Sequence, residues 1–319
     1  MGRASTDFGV HGILCPVGPA KISILFRGSL YKFHPSMSDI SESITGFFTR
    51  KTKASPPPRP VLSNALRFPY GQFQFRFQLA KGAAYEIQTT RDLQNWDPLS
   101  SHKAESAETE FLDAAAEKFN VRFYRVVSET VVSANVIGYV SISLSPGFSL
   151  ISNPLNAPNN TVEKLFPNLP EGTTLHKFDT MLFRLNENTI TRGKWSKPFE
   201  TLAPGEGAIV LNPTPDPKKL DFVGEVLQGD LSLTLPAGFS IRSSMLPLSG
   251  PLHPDLQFPI AEGDAVHLFD REAQKYVIYS YQAGQWTPDV PVIRVAESFW
   301  VGKTSPGTWI RNVVLNSGA

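Results

Sequence analysis

Leu144-Ser145-Pro146-Gly147-Phe148-Ser149-Leu150-Ile151-Ser152 returns 91 residues later as Leu235-Pro236-Ala237-Gly238-Phe239-Ser240-Ile241-Arg242-Ser243. Each copy sets a small turn containing Gly between two short apolar stretches, which reads as strand, turn, strand. The same offset carries Glu171-Gly172 onto Glu262-Gly263, His176 onto His267, and Phe178-Asp179 onto Phe269-Asp270. It also carries Gly193 and Trp195 onto Gly284 and Trp286, and Glu206 onto Glu297. Roughly 18 identities fall in about 80 aligned positions where chance supplies about 5, so an internal repeat is expected.

The first copy spans 139–227 and the second 228–317. Strands are expected at Val140–Leu144, Phe148–Ser152, Thr173–Phe178, Leu182–Leu185, Ala208–Leu211 and Leu220–Val226. Asn160, with Glu163 three residues on, reads as the N-cap of a short helix stopped by Pro167. In the second copy Pro251 and Pro254 interrupt that region, so no helix is expected there.

Outward from the repeat, Phe73-Gln74-Phe75-Arg76-Phe77-Gln78-Leu79 alternates without a break. Phe73, Phe75 and Phe77 share one face, as in a half-buried strand. Tyr85–Thr89 and Val121–Val127 read as further strands, and Trp96 as a cap on the core. The span 64–130 is expected to be a small antiparallel β-sandwich. Residues 1–60 lack periodicity, carry the basic cluster Arg50-Lys51-Thr52-Lys53, and end in Pro56-Pro57-Pro58-Arg59-Pro60. They read as a flexible N-terminal arm with a stiff Pro-rich linker.

Composition agrees with strands. Of 319 residues, 27 are Pro, 23 Gly and 22 Phe, which favours many turns and β-structure over long helices. A net charge of +1 gives no reason to expect nucleic acid as a partner. Cys15 is the one cysteine, so neither an internal disulfide nor a Cys-based zinc site is available. No apolar run is long enough to span a bilayer. Residues 10–26 are broken by Pro16, Pro19 and Lys21 and make no clear signal peptide. Either the chain is not exported by that route or the biological start differs.

Tyr85, Ile87-Gln88, Asp92-Leu93, Asn95-Trp96, Leu99, Asp113 and Phe123-Tyr124-Arg125-Val126 resemble a fibronectin-III-like or immunoglobulin-like module. That module is common in secreted surface proteins of the Verrucomicrobia–Planctomycetes type. Thr89-Thr90 stands where a serine is usual. Gly147 to Asn156, with Pro204-Gly205-Glu206-Gly207-Ala208-Ile209-Val210, resembles a duplicated C-terminal β-module of the same proteins. The second copy departs from it at Ser243-Ser244-Met245, where Asn-Pro would sit. The first resemblance implies a spacer or adhesive unit with no catalytic residues; the second implies a surface module and nothing finer.

The candidate chemistry is sparse. His176 and His267 each precede Phe-Asp by one residue, which puts His and Asp on opposite strand faces, so both read as structural. Glu206 and Glu297 recur before the most apolar strand of each copy and read as acceptors of backbone or tryptophan hydrogen bonds; a carboxylate pair would suggest glycoside hydrolysis. No nucleophile elbow, zinc helix, phosphate loop or dinucleotide fingerprint is present. No catalytic residue, metal site or cofactor is expected. The aromatics of the duplicated part, Trp195, Trp286, Trp300, Trp309, Tyr276, Tyr279 and Tyr281, are the leading functional candidates; they read either as core or as a glycan or protein contact surface, with Trp195, Trp286, Tyr279 and Tyr281 as the ligand-binding set. Tyr279 and Tyr281 share a face opposite Ile278.

The expectation is an all-β protein: an Ig/FnIII-like sandwich followed by two homologous β-sandwich or barrel repeats, with a short helix in the first. Its expected role is non-catalytic, structural or adhesive, secreted or on the cell surface, with a polysaccharide or another surface protein as partner. The rivals are a carbohydrate-binding accessory protein, with Trp195 and Trp286 exposed, and a hydrolase with a site between the repeats.

Overall fold

The computed structural model describes residues 58–129 and 131–316. The N-terminal arm expected over 1–60 therefore lies outside the described residues, apart from Pro58 to Pro60. Arg59 anchors that end, donating to the carbonyls of Val132 (2.8 Å) and Ser133 (2.7 Å).

The chain is all-β. The described residues begin with β1 (Ser63–Arg67), β2 (Phe73–Gln78), β3 (Ala84–Thr90), β4 (Asp97–Lys103) and β5 (Glu108–Asp113). A 3-10 turn (Ala116–Lys118) leads to β6 (Val121–Ser128) and β7 (Val131–Val132). Next come β8 (Ile137–Leu144), β9 (Gly147–Ile151), helix α1 (Val162–Leu165), β10 (Thr174–Asp179), β11 (Arg184–Thr191), β12 (Lys194–Trp195), β13 (Ala208–Asn212) and β14 (Lys218–Glu225). The last part holds β15 (Gly229–Leu235), β16 (Gly238–Ser243), β17 (Gly250–Pro251), β18 (Ala265–Asp270), β19 (Lys275–Gln282), β20 (Gln285–Thr287), β21 (Val292–Ile293), β22 (Ser298–Lys303) and β23 (Gly307–Val313).

The first layer is the sheet β1-β2-β5. Phe73, Phe75 and Phe77 alternate inward from β2 and are fully buried, as the strand period requires. They pack on a second sheet in the order β14-β8-β6-β3-β4. That sheet is covered on both faces. Tyr124 and Tyr139 face the first layer, while their neighbours Phe123 and Val140 face the other way into a second core. Burial on both faces explains why Ile137-Gly138-Tyr139-Val140 has no polar alternation. Two strands of the expected first repeat, β8 and β14, thus extend the sheet built from β3, β4 and β6. The expected junction between 130 and 139 falls inside one continuous hydrogen-bonded sheet.

Two five-stranded sheets follow, β12-β11-β10-β13-β9 and β16-β22-β18-β19-β20. Written from the same end, their strand orders correspond, and the strands correspond at the 91-residue offset. Left-handed backbone recurs at matching turns: Gly147 and Gly238, Phe183 and Gln274, Arg192 and Ala283, Gly193 and Gly284. The two sheets pack face to face through Leu150, Ile209 and Ile241, with Phe178, Phe269 and Trp300 at the margin. The β15-β23 ribbon closes the last core over Trp309, which is fully buried.

Helix α1 differs from the sequence reading in its cap. Thr161, not Asn160, is the N-cap residue, and it makes no side-chain capping bond. The Asn160 side chain is used elsewhere: its Oδ1 accepts from Ala157 N and from Asn153 Nδ2. A loop-closing network competes here with the cap and takes the amide.

Candidate functional site

The hairpins β10–β11 and β18–β19 turn in the same way. Asp179 Oδ1 accepts the N–H groups of Met181 and Leu182, both at 2.9 Å. Asp270 Oδ1 accepts those of Glu272 (3.0 Å) and Ala273 (2.9 Å). These backbone donors stabilise the ionised carboxylates and hold both below the usual aspartate range. The next residue, Phe183 or Gln274, has φ of 50° in each. The backbones agree, but the side chains do not. The first tip presents Met181, Leu182 and Phe183 at 92%, 60% and 66% exposure; the second presents Glu272, Ala273 and Gln274.

Beside the first tip lies an open pocket of about 390 Å³ between the two five-stranded sheets. The first sheet contributes Phe178, Phe183, Leu185 and Ile209 to its wall. Phe239, His267, Tyr276 and Trp300 complete it from the second. Phe178 meets Phe183 and Trp300 edge to face at 5.3 and 4.8 Å between ring centroids. Trp300 Nε1 donates to the Tyr276 hydroxyl at 3.2 Å, so the largest ring is held in place by its own polar handle. Burial pushes the His267 imidazole below its ordinary value, which favours the neutral ring. The walls suit an apolar group that brings few polar atoms of its own.

The expected ligand set is dispersed by the fold. Trp195 is 8% exposed in the core beneath α1. Its Nε1 donates to the Phe166 carbonyl at 3.2 Å. It offers no ring face to a ligand, and the expectation for Trp195 is withdrawn. Trp286 is half-buried against a different core, edge to face with Tyr281 at 5.4 Å. Tyr279 also packs against that core. Tyr279 and Tyr281 share one face of β19, and that face turns toward this core and Trp286. Tyr276 and Ile278 occupy the open side, at 42% and 54% exposure. The strand alternates as expected; which face is covered depends on what packs against it.

Glu206 and Glu297 serve their own turns. Glu206 Oε2 accepts Ala203 N (2.7 Å) and Oε1 pairs with Lys177 Nζ (3.0 Å). Glu297 Oε2 accepts Arg294 N at 2.9 Å. Among the described residues, no group of three or more His, Cys, Asp or Glu is arranged to hold a metal ion. No described helix is long and apolar enough to cross a membrane.

The chain matches no family model and no curated protein.

What remains is the geometry. Tyr276 and Trp300 were among the aromatic candidates but not in the ligand-binding set, and Phe183 and Phe239 were in neither. One signal was available: Met181-Leu182-Phe183 stands where the matching hairpin has Glu272-Ala273-Gln274. A turn that folds equally well with polar residues has no structural need of three apolar ones.

Proposed function

We propose that this protein is a non-catalytic, secreted or cell-surface component with a structural or adhesive role, and that it acts by binding through the face around the aromatic pocket. In this reading the two matching sheets derive from a duplicated unit, and the first copy has specialised its hairpin tip for contact. The observation that carries it is the exposed Met181-Leu182-Phe183 tip beside the pocket, set against the polar tip of the matching hairpin. Exposed apolar clusters of this kind mark interaction sites. The engagement of Glu206 and Glu297 in their own turns supports a non-catalytic role over hydrolysis. The burial of Trp195 weighs against the carbohydrate-binding rival built on it. The resemblance to Verrucomicrobia–Planctomycetes-type surface modules supports the location.

The test combines fractionation of native cells with an adhesion assay. Recovery outside the cytoplasm is expected, together with retention of protein-coated beads on those cells. The double variant M181E/L182A, which adopts the tip chemistry of the second copy, is expected to lose retention while remaining folded. Cytoplasmic recovery, or full retention by the variant, would overturn the reading.

A further inference from the structure

We propose that the pocket takes one bulky apolar side chain of a short extended peptide, whose main chain pairs with the edge of β16 at Phe239. The inference rests on the binding reading above and adds the chemistry of the partner.

Strands β9 and β16 are the outer strands of their sheets. β9 pairs with β13 in the register Phe148 to Leu211, and β16 with β22 in the register Phe239 to Gly302. In an antiparallel ladder every second residue turns its N–H and C=O away from the neighbouring strand. At Phe148 these outward groups are both occupied. Its N–H donates to Gln274 Oε1 at 2.9 Å, and its carbonyl accepts from Gln274 Nε2 at 3.1 Å. The carboxamide of Gln274 stands in for one residue of a neighbouring strand.

The equivalent register turns the N–H and C=O of Phe239 outward in the same way. Phe183 holds the position matching Gln274, with the same φ of 50°, but its ring has no donor or acceptor for them. The space differs accordingly. A Cβ added to Gly147 would meet Gln274 Oε1 at 2.7 Å, whereas one added to Gly238 would meet nothing within 4 Å. Among the described residues one edge is stoppered by an amide, while its counterpart has no such stopper and is backed by the aromatic pocket.

The missing stopper indicates what fits. The occupant must present a carbonyl and an N–H together, as Gln274 does, and must carry an apolar body. A residue of an extended peptide does both, with its main chain on the strand edge and its side chain in the pocket. A sugar ring suits the site less well. The Trp300 indole already donates to Tyr276, which leaves few polar groups on the wall to satisfy hydroxyls. The paired segment is short, because the far end of β16 is closed: Ser243 N donates to the Gly205 carbonyl at 3.0 Å, and Arg242 pairs with Glu206.

The experiment titrates the ¹⁵N-labelled full chain with acetyl-Ala-Phe-Ala-amide and follows the Phe239 amide and Trp300 indole resonances. Saturable shifts at both are expected. The analogue N-methylated at its Phe should bind at least ~10-fold more weakly, since it loses one main-chain bond. Phe183→Gln, which supplies a stopper like that of Gln274, should abolish saturation without lowering the unfolding midpoint. Gln274→Phe, which frees the Phe148 edge and sets a ring where, in the matching hairpin, Phe183 stands beside the pocket, should raise the stoichiometry from one peptide to two. Absent saturation, equal binding of the N-methylated peptide, undiminished binding by F183Q, or unchanged stoichiometry in Q274F would each overturn the proposal. Chitobiose moving these resonances when the peptide does not would assign a glycan instead. It would overturn the peptide while leaving the binding reading in place, which fails only on the fractionation and bead results.

Discussion

The backbone of Glu206 pairs with that of Arg242, an isolated antiparallel bridge joining the two five-stranded sheets. Ile151, 91 positions before Arg242, pairs in turn with Glu297, 91 positions after Glu206. Flanking bonds repeat the exchange: Ser243 N donates to Gly205 O, and Ser152 N to Ala296 O, both at 3.0 Å. Each sheet gives the other what it receives, the relation of a two-fold axis. Gln274 and Phe183 break that relation, and the pocket lies on the side of Phe183.

Gly207 lies at this junction. A Cβ there would meet Ile241 Cγ2 and Ser298 Cβ, each at 2.5 Å, both in the opposite sheet. Gly207→Ala should therefore push the sheets apart and destabilise the fold by about 1–3 kcal/mol. Urea unfolding of G207A against wild type measures this, with an unchanged midpoint as the contrary result.

Glu297 should matter for stability. It is buried, accepts Arg294 N, and tempers the burial-lowered basicity of Arg271. Glu297→Ala orphans a backbone donor and should cost about 1–3 kcal/mol. Glu297→Gln keeps an acceptor and should cost less. Equal losses for both in chemical denaturation would show that the acceptor is not what counts.

Asp113 holds the first core. Its Oδ2 accepts from Arg122 and from the Tyr124 hydroxyl, each at 2.8 Å, and its Oδ1 from Ala115 N at 3.0 Å. Asp113 is 4% exposed, so Asp113→Ala strands the buried Arg122 and should cost about 3–5 kcal/mol. Tyr124→Phe removes one donor and leaves the ion pair, and should cost about 1–2 kcal/mol. Thermal melts of the two variants should rank in that order.

The pH dependence has a definite sign at His267. Burial lowers its value in the folded state below the ordinary 6.5. Between the folded and unfolded values the unfolded chain binds more protons, so stability rises with pH there. The contribution is complete above about 6.5 and is lost as pH falls toward the lowered folded value. His267→Phe should flatten this part of the stability–pH curve. A curve of unchanged slope across that window would refute the assignment.

Much of the strand pattern is legible in residues 73–79, 121–127 and 144–152, where period-two alternation or a Gly-containing turn is local information. The helix was legible as an element, but its cap was not, because Asn160 is drawn into side-chain bonds with Asn153 and Asn156. The candidate site was the least legible part. Trp195 and Trp286 match in sequence, yet one lies in the core beneath α1 and the other beside the last core.

The sequence by itself determined which segments extend, where they turn, and which positions correspond 91 residues apart. Those properties depend on φ preferences and on residues a few places from one another. Only the tertiary structure decided that β8 and β14 join the sheet of β3, β4 and β6, that Tyr276 rather than Tyr279 faces outward, and that, among the described residues, Phe183 leaves unstoppered an edge whose counterpart Gln274 closes. Each of these depends on which strand or sheet comes to lie against another from far along the chain. A strand's own alternation separates its two faces without saying which of them will be covered.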